Sequence, residues 1–119
     1  MRNTVKIGEK TLDMLGNAAT AILYKQTFHE DLLKAVTALS GAKEDELIVA
    51  IEKLQRLAFI MNKQATEEFR NIVNKLTEGD FVEWLSDFEE ADFQDPECFT
   101  AILFTWNKNL AGSSETKNP

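Results

Sequence analysis

A chain of 119 residues with 44% hydrophobic side chains, 20 acids against 13 bases and one cysteine suits a single domain with no internal disulfide, at home in a reducing compartment. The charge is unevenly placed: residues 1–40 sum to +1, residues 41–75 to 0 and residues 76–119 to −8, a field that repels nucleic acid phosphates and anionic lipid and favours partners with basic surfaces. No apolar run approaches the roughly 18 residues of a membrane span, and the first ten residues lack the apolar stretch of a secretory signal, so the expectation is a cytoplasmic protein.

In chain order, residues 5–7 and 11–15 read as two short alternating strands joined by Gly8-Glu9, a dipeptide suited to a type II′ hairpin turn. From Gly16-Asn17 the period changes to about 3.6 residues. Ile22 and Leu23 begin one short helix, and Leu32, Leu33, Val36 and Leu39 mark a second. The join lies in "QTFHED", where Thr27 with Glu30 fits a capping box and His29 equally fits a left-handed residue that closes the first helix. Both readings stay open.

Leu47, Ile51, Leu54, Ala58, Met61 and Ala65 then form one seam of a long helix, with Glu44, Asp45 and Glu46 in its first turn. Ile48, Leu57, Phe59 and Ile60 fall outside that seam, which makes the helix apolar over more of its circumference than a peripheral helix needs and places it centrally. Phe69, Ile72, Val73 and Leu76 mark either its continuation or a separate helix, and Gly79 interrupts.

Residues 80–97, "DFVEWLSDFEEADFQDPE", hold eight acids and four large aromatics without a lysine or arginine. Phe81, Trp84, Leu85 and Phe88 follow helical spacing as a core-facing stripe, while Asp80, Glu83, Asp87 and Glu90 cluster on the opposite side; residues 92–97 read as an irregular acidic loop. Asp95-Pro96 is an N-cap followed by proline at the first helical position. The last helix runs through Phe99, Ile102, Leu103, Trp106 and Leu110 and stops at Gly112. The expected architecture is thus mainly α: a compact helical domain of about five to six helices over residues 1–111, with a short N-terminal β-hairpin at about residues 4–15 and a disordered tail at residues 112–119.

The chemical inventory is thin. His29 stands alone beside Glu30 and Asp31, and Cys98, in a first helical turn, has Asp95 and Glu97 opposing its thiolate, so a small buried residue is the better reading. There is no phosphate-binding glycine loop, no zinc-site spacing and no ordered calcium loop. No enzyme activity, catalytic residue, metal or cofactor is expected, and function by binding protein surfaces remains. The candidate contacts are Glu83, Asp87 and Glu90 from the acidic stripe, with Ile48 and Phe59 from the apolar excess of the long helix. That excess and the open edges of a lone hairpin also lead us to expect a homo-oligomer.

The hairpin, "NAAT" (17–20), "YKQTFHEDLL" (24–33), "LAFIMNKQA" (57–65), "DFVEWLSDFE" (80–89) and the polar tail together resemble the tail assembly chaperones of phages with long non-contractile tails, siphoviruses or their prophages. His29 stands where several relatives carry glycine after the phenylalanine, a departure that bears only on the local helix break. The resemblance implies a helical, non-enzymatic protein of the host cytoplasm that binds the tape measure protein, keeps it soluble and is absent from the mature virion. It also implies a second form, extended by a translational frameshift, that recruits tail tube subunits. A rival expectation from the charge alone is an acidic inhibitor or nucleic acid mimic that blocks a basic protein surface. Such a mimic needs its acids in a regular extended array.

Overall fold

The computed structural model describes the backbone of residues 1–40 and 47–117 and the side chains of residues 1–39 and 49–108. β1 (Arg2–Ile7) and β2 (Lys10–Leu15) are joined by Gly8-Glu9. Gly8 has φ 64° while Glu9 has no positive φ, the pattern that a type II′ turn requires. The strands pair antiparallel with Val5 opposite Leu12 and Asn3 opposite Met14. Val5, Ile7, Leu12 and Met14 therefore share the face that packs on the helices.

Seven helices follow among the described residues: α1 (Ala18–Phe28), α2 (Leu32–Ser40), α3 (Leu47–Thr66), α4 (Phe69–Ile72), α5 (Glu78–Leu85), α6 (Glu90–Gln94) and α7 (Pro96–Lys117). The mainly α fold with an N-terminal hairpin is as expected, and the added helix, α6, is a single turn too short for a 3.6-residue period to betray it. Asn17 caps α1 by accepting from the Ala19 N–H, and its own N–H donates to Thr20 Oγ1 at 2.9 Å. The alternatives at the end of α1 are decided by His29, which adopts the left-handed conformation (φ 56°, ψ 38°) and donates its N–H to the Lys25 carbonyl. Asp31 then caps α2, accepting from the Leu33 N–H at 2.8 Å.

α3 is the axis of the molecule. It packs against β2 and against all six other helices. Leu57, Ala58, Phe59, Ile60 and Met61 are all wholly buried; consecutive helical residues stand about 100° apart, so five in a row sweep the whole circumference. The expected acidic first turn of this helix, Glu44 to Glu46, lies outside the described residues.

Of the two readings for residues 69–76, the separate helix is the one observed, as the single turn α4 (Phe69–Ile72). Two boundaries differ from expectation. Gly79 does not interrupt a helix but lies in the first turn of α5, because Thr77 and Asp80 on either side of it form a reciprocal capping box that starts the helix at Glu78. α7 passes Gly112 and continues to Lys117, since an interior glycine disfavours a helix by only about 1 kcal/mol relative to alanine and does not forbid it. The start of α7 is as read: Asp95 Oδ1 accepts from the Glu97 N–H at 3.0 Å, and Pro96 is its first residue.

Candidate functional site

The acidic stretch begins as one helix and does not continue as one. α5 ends at Leu85; the Asp87 and Phe88 N–H groups then bond back to the Trp84 and Leu85 carbonyls, and Ser86 Oγ donates to the Glu83 carbonyl at 2.6 Å. Glu89 resumes extended backbone and caps α6 together with Asp92. This turn lets all four aromatics reach the same core. Phe81 packs edge-on against Phe28 and Phe59, Trp84 against Phe59 and Phe88, and Phe88 against Phe93, with ring centroids 4.9 to 5.6 Å apart. The residues expected to form an irregular loop thus contain a capped helical turn whose Phe93 is buried.

The broken helix also separates the candidate acids. Glu83, Asp87 and Glu90 are all exposed, but they do not share a stripe. Glu83 and Asp87 border a hollow of about 390 Å³ that also holds Lys63 and Lys75. Asp87 further pairs with Lys10 at 3.8 Å, while the Lys10 ammonium lies 5.5 Å from the Phe88 ring centroid. Glu90 instead borders a groove between α3 and the α5–α6 pair. Phe59, expected as a partner contact, is wholly buried against Phe28, Phe81 and Trp84. It belongs to this chain's own core, because the apolar excess of α3 is covered by the elements that surround it. The side chain of Ile48 lies outside the described residues.

The groove beside Glu90 has a volume of about 510 Å³. Phe28, Ile51, Phe81, Val82 and Leu85 supply its apolar lining, and Glu52, Glu78 and Glu90 its carboxylates. A smaller hollow of about 320 Å³ shares Gln55, Val82, Leu85 and Glu90 with it and reaches Phe88, Glu89 and Phe93. Among the described lining residues of both, Arg56 is the one cation, and it is already engaged. Its Nη2 donates to Glu52 Oε1 at 2.7 Å, its Nη1 lies 3.5 Å from Glu30 Oε1, and its guanidinium carbon lies 5.1 Å from the Phe28 ring centroid.

Behind Arg56 stands a polar cluster that the sequence reading did not assemble. Glu30 accepts from Tyr24 Oη at 2.6 Å and from Lys53 Nζ. Burial alone would raise the Glu30 pKa, but hydrogen bonds from Lys53 and Tyr24 and the charges of Lys53 and Arg56 outweigh it and hold the carboxyl below its usual range. Burial, then the Glu30 hydrogen bond and charge, push the Tyr24 phenol up against the opposing effect of Arg56. The cluster pins the α1–α2 junction to α3 and fixes Arg56 at the groove. Only Val82 carried a usable signal for the groove itself: it is an apolar residue between the acids of α5 and is 62% exposed.

Cys98 is buried, and burial, reinforced by the charges of Asp95 and Asp92, raises its thiol pKa to about 11, so it is not poised as a nucleophile. No group of three or more His, Cys, Asp and Glu side chains among the described residues is arranged to hold a metal ion, and none of the described helices is long and apolar enough to cross a membrane. No family model, curated protein or solved structure matches this chain.

Proposed function

We propose that this protein is a tail assembly chaperone that binds the tape measure protein, keeps it soluble and helps to recruit tail tube subunits during tail assembly, acting by binding without catalysis. The observation that carries the reading is an apolar groove whose edge carries Glu78, Glu89 and Glu90 besides the Arg56-bound Glu52, formed where the acidic third of a mainly helical chain packs on α3. A very long helical client exposes apolar helix faces that aggregate unless covered, and carboxylates around an apolar surface attract basic client segments while repelling DNA. The motif resemblance in residues 17–20, 24–33, 57–65 and 80–89 supports the same reading.

In this role the protein works in the host cytoplasm and leaves before the virion is complete, and its frameshifted form, extended at the C-terminus, contacts the tail tube protein. Self-association is part of the proposal, and sedimentation over a range of concentrations checks it. The separation of Glu83 and Asp87 from Glu90 favours a chaperone over a nucleic acid mimic, which needs its carboxylates in one regular array.

Co-expression with the tape measure protein tests the function. The wild type keeps the client in the soluble fraction, and the variant carrying Glu83→Lys, Asp87→Lys and Glu90→Lys folds but retains less of it. Failure of the wild type to retain any client removes the chaperone reading, and capture of a DNA-binding protein in its place supports the mimic.

A further inference from the structure

We infer that the groove between α3 and α5–α6 is the docking site for a basic amphipathic helix of a partner protein. The inference rests on reading the chain as a binding protein for helical clients and adds the surface and the chemistry of the segment it takes.

Three observations carry it. The first is an apolar surface that the fold leaves open: Val82 is 62% exposed in the wall of the groove, beside the half-buried Ile51 and Leu85. The second is charge. Glu52, Glu78 and Glu90 edge the larger hollow and Glu89 the smaller, and Arg56, the one cation among the described lining residues, is bonded to Glu52 and Glu30. An occupant with lysine or arginine flanking its apolar face meets that rim, whereas an acidic one is repelled.

The third is the backbone. Phe28 comes from the end of α1, residues 51–56 from α3, residues 78–85 from α5 and residues 90–94 from α6, so helices line the larger hollow and no strand edge opens into it. An extended peptide buried there finds no ladder for its N–H and C=O groups, whereas a helix satisfies its own backbone and presents only side chains.

The probe is a synthetic peptide of about 18 residues, long enough to be helical once docked, with leucines at i, i+3, i+4 and i+7 spacing and lysines elsewhere. Its affinity for the full chain is read by fluorescence anisotropy. It is expected to bind, to weaken as salt rises from about 0.05 M to about 0.5 M, and to gain helicity on binding. A scrambled peptide of the same composition, and one with glutamate in place of lysine, are each expected to bind about tenfold more weakly or worse. Val82→Lys, which sets a charge against the apolar face, and Glu90→Lys, which reverses the rim, are each expected to weaken the basic helix about tenfold. Methyl NMR of the wild type, which needs no variant to fold, should place the shifts on Ile51, Val82 and Leu85 and leave Ile22 and Leu33 unmoved.

No binding, equal binding of the scrambled peptide, shifts elsewhere, or unchanged affinity in folded variants overturns the site. Retention of the tape measure client by both variants at wild-type level also overturns it and leaves the chaperone reading standing. Peptide binding in the groove without any client retention does the reverse.

Discussion

Trp84 on α5 donates its indole N–H to the Asn62 amide oxygen on α3 at 2.9 Å, and the Asn62 amide nitrogen donates to the Asp13 carbonyl of β2, also at 2.9 Å. One nearly buried amide thus joins hairpin, central helix and acidic helix. Asn62→Leu removes the partner of the indole N–H and of the Asp13 carbonyl, and the expected loss is about 1 to 3 kcal/mol, the scale for losing hydrogen bonds to partly buried groups. Urea unfolding reads it. Trp84→Phe, which removes one donor and keeps most of the ring packing, should lose less.

Gly8 is constrained twice. Its φ of 64° is a conformation that residues with a Cβ adopt rarely, and an added Cβ would lie 2.6 Å from the Asp92 carboxyl group of α6. Gly8→Ala should therefore lower stability by about 1 to 3 kcal/mol through backbone strain and the displaced side chain. If the thermal midpoint does not fall, the hairpin tip is not seated on α6.

Glu30 makes stability depend on pH in a defined direction. Its folded pKa lies below the usual 4.5, so the unfolded chain takes up the proton first as pH falls. Its contribution is present above about pH 4.5 and is lost as the pH falls through the lower folded value. Glu30→Gln should remove that part of the acid dependence and should also free Lys53, Arg56 and the Tyr24 hydroxyl from their shared partner. Urea midpoints of both proteins between about pH 3 and pH 7 check the sign.

Cys98 should resist thiol reagents at pH 8 in the folded protein, because it is buried and its pKa is raised to about 11. Labelling should become rapid only in denaturant. Fast labelling of the native chain would mean that the first turn of α7 opens readily.

Hairpin, central helix and last-helix start were legible because their signals are local. Gly8-Glu9 determines a turn through one backbone angle, Asp95-Pro96 a helix start through one side-chain bond and one ring, and the apolar residues of α3 a central position through their spread around the helix. His29 could be narrowed to two readings and no further, because choosing between a cap for α2 and a close for α1 depends on whether Glu30 is free. It is not: Tyr24, Lys53 and Arg56 hold it.

Read alone, the amino-acid order settles the class of the fold, the confinement of the acidic excess to the last third and the core-facing stripe of Phe81, Trp84 and Phe88, since composition and periodicity are properties of contiguous residues. Tertiary structure decided where the acids point and what surface they edge. Continuing α5 past Leu85 would have kept Glu83, Asp87 and Glu90 on one face and Phe88 beside Trp84, but Phe93 meets Trp84 and Phe88 because the chain turns there. The same long-range packing encloses Phe59 and leaves Val82 and Ile51, 31 positions apart, as two walls of one groove. A hydrophobic period records that a residue is apolar; whether it meets its own chain or a partner depends on which remote elements arrive to cover it.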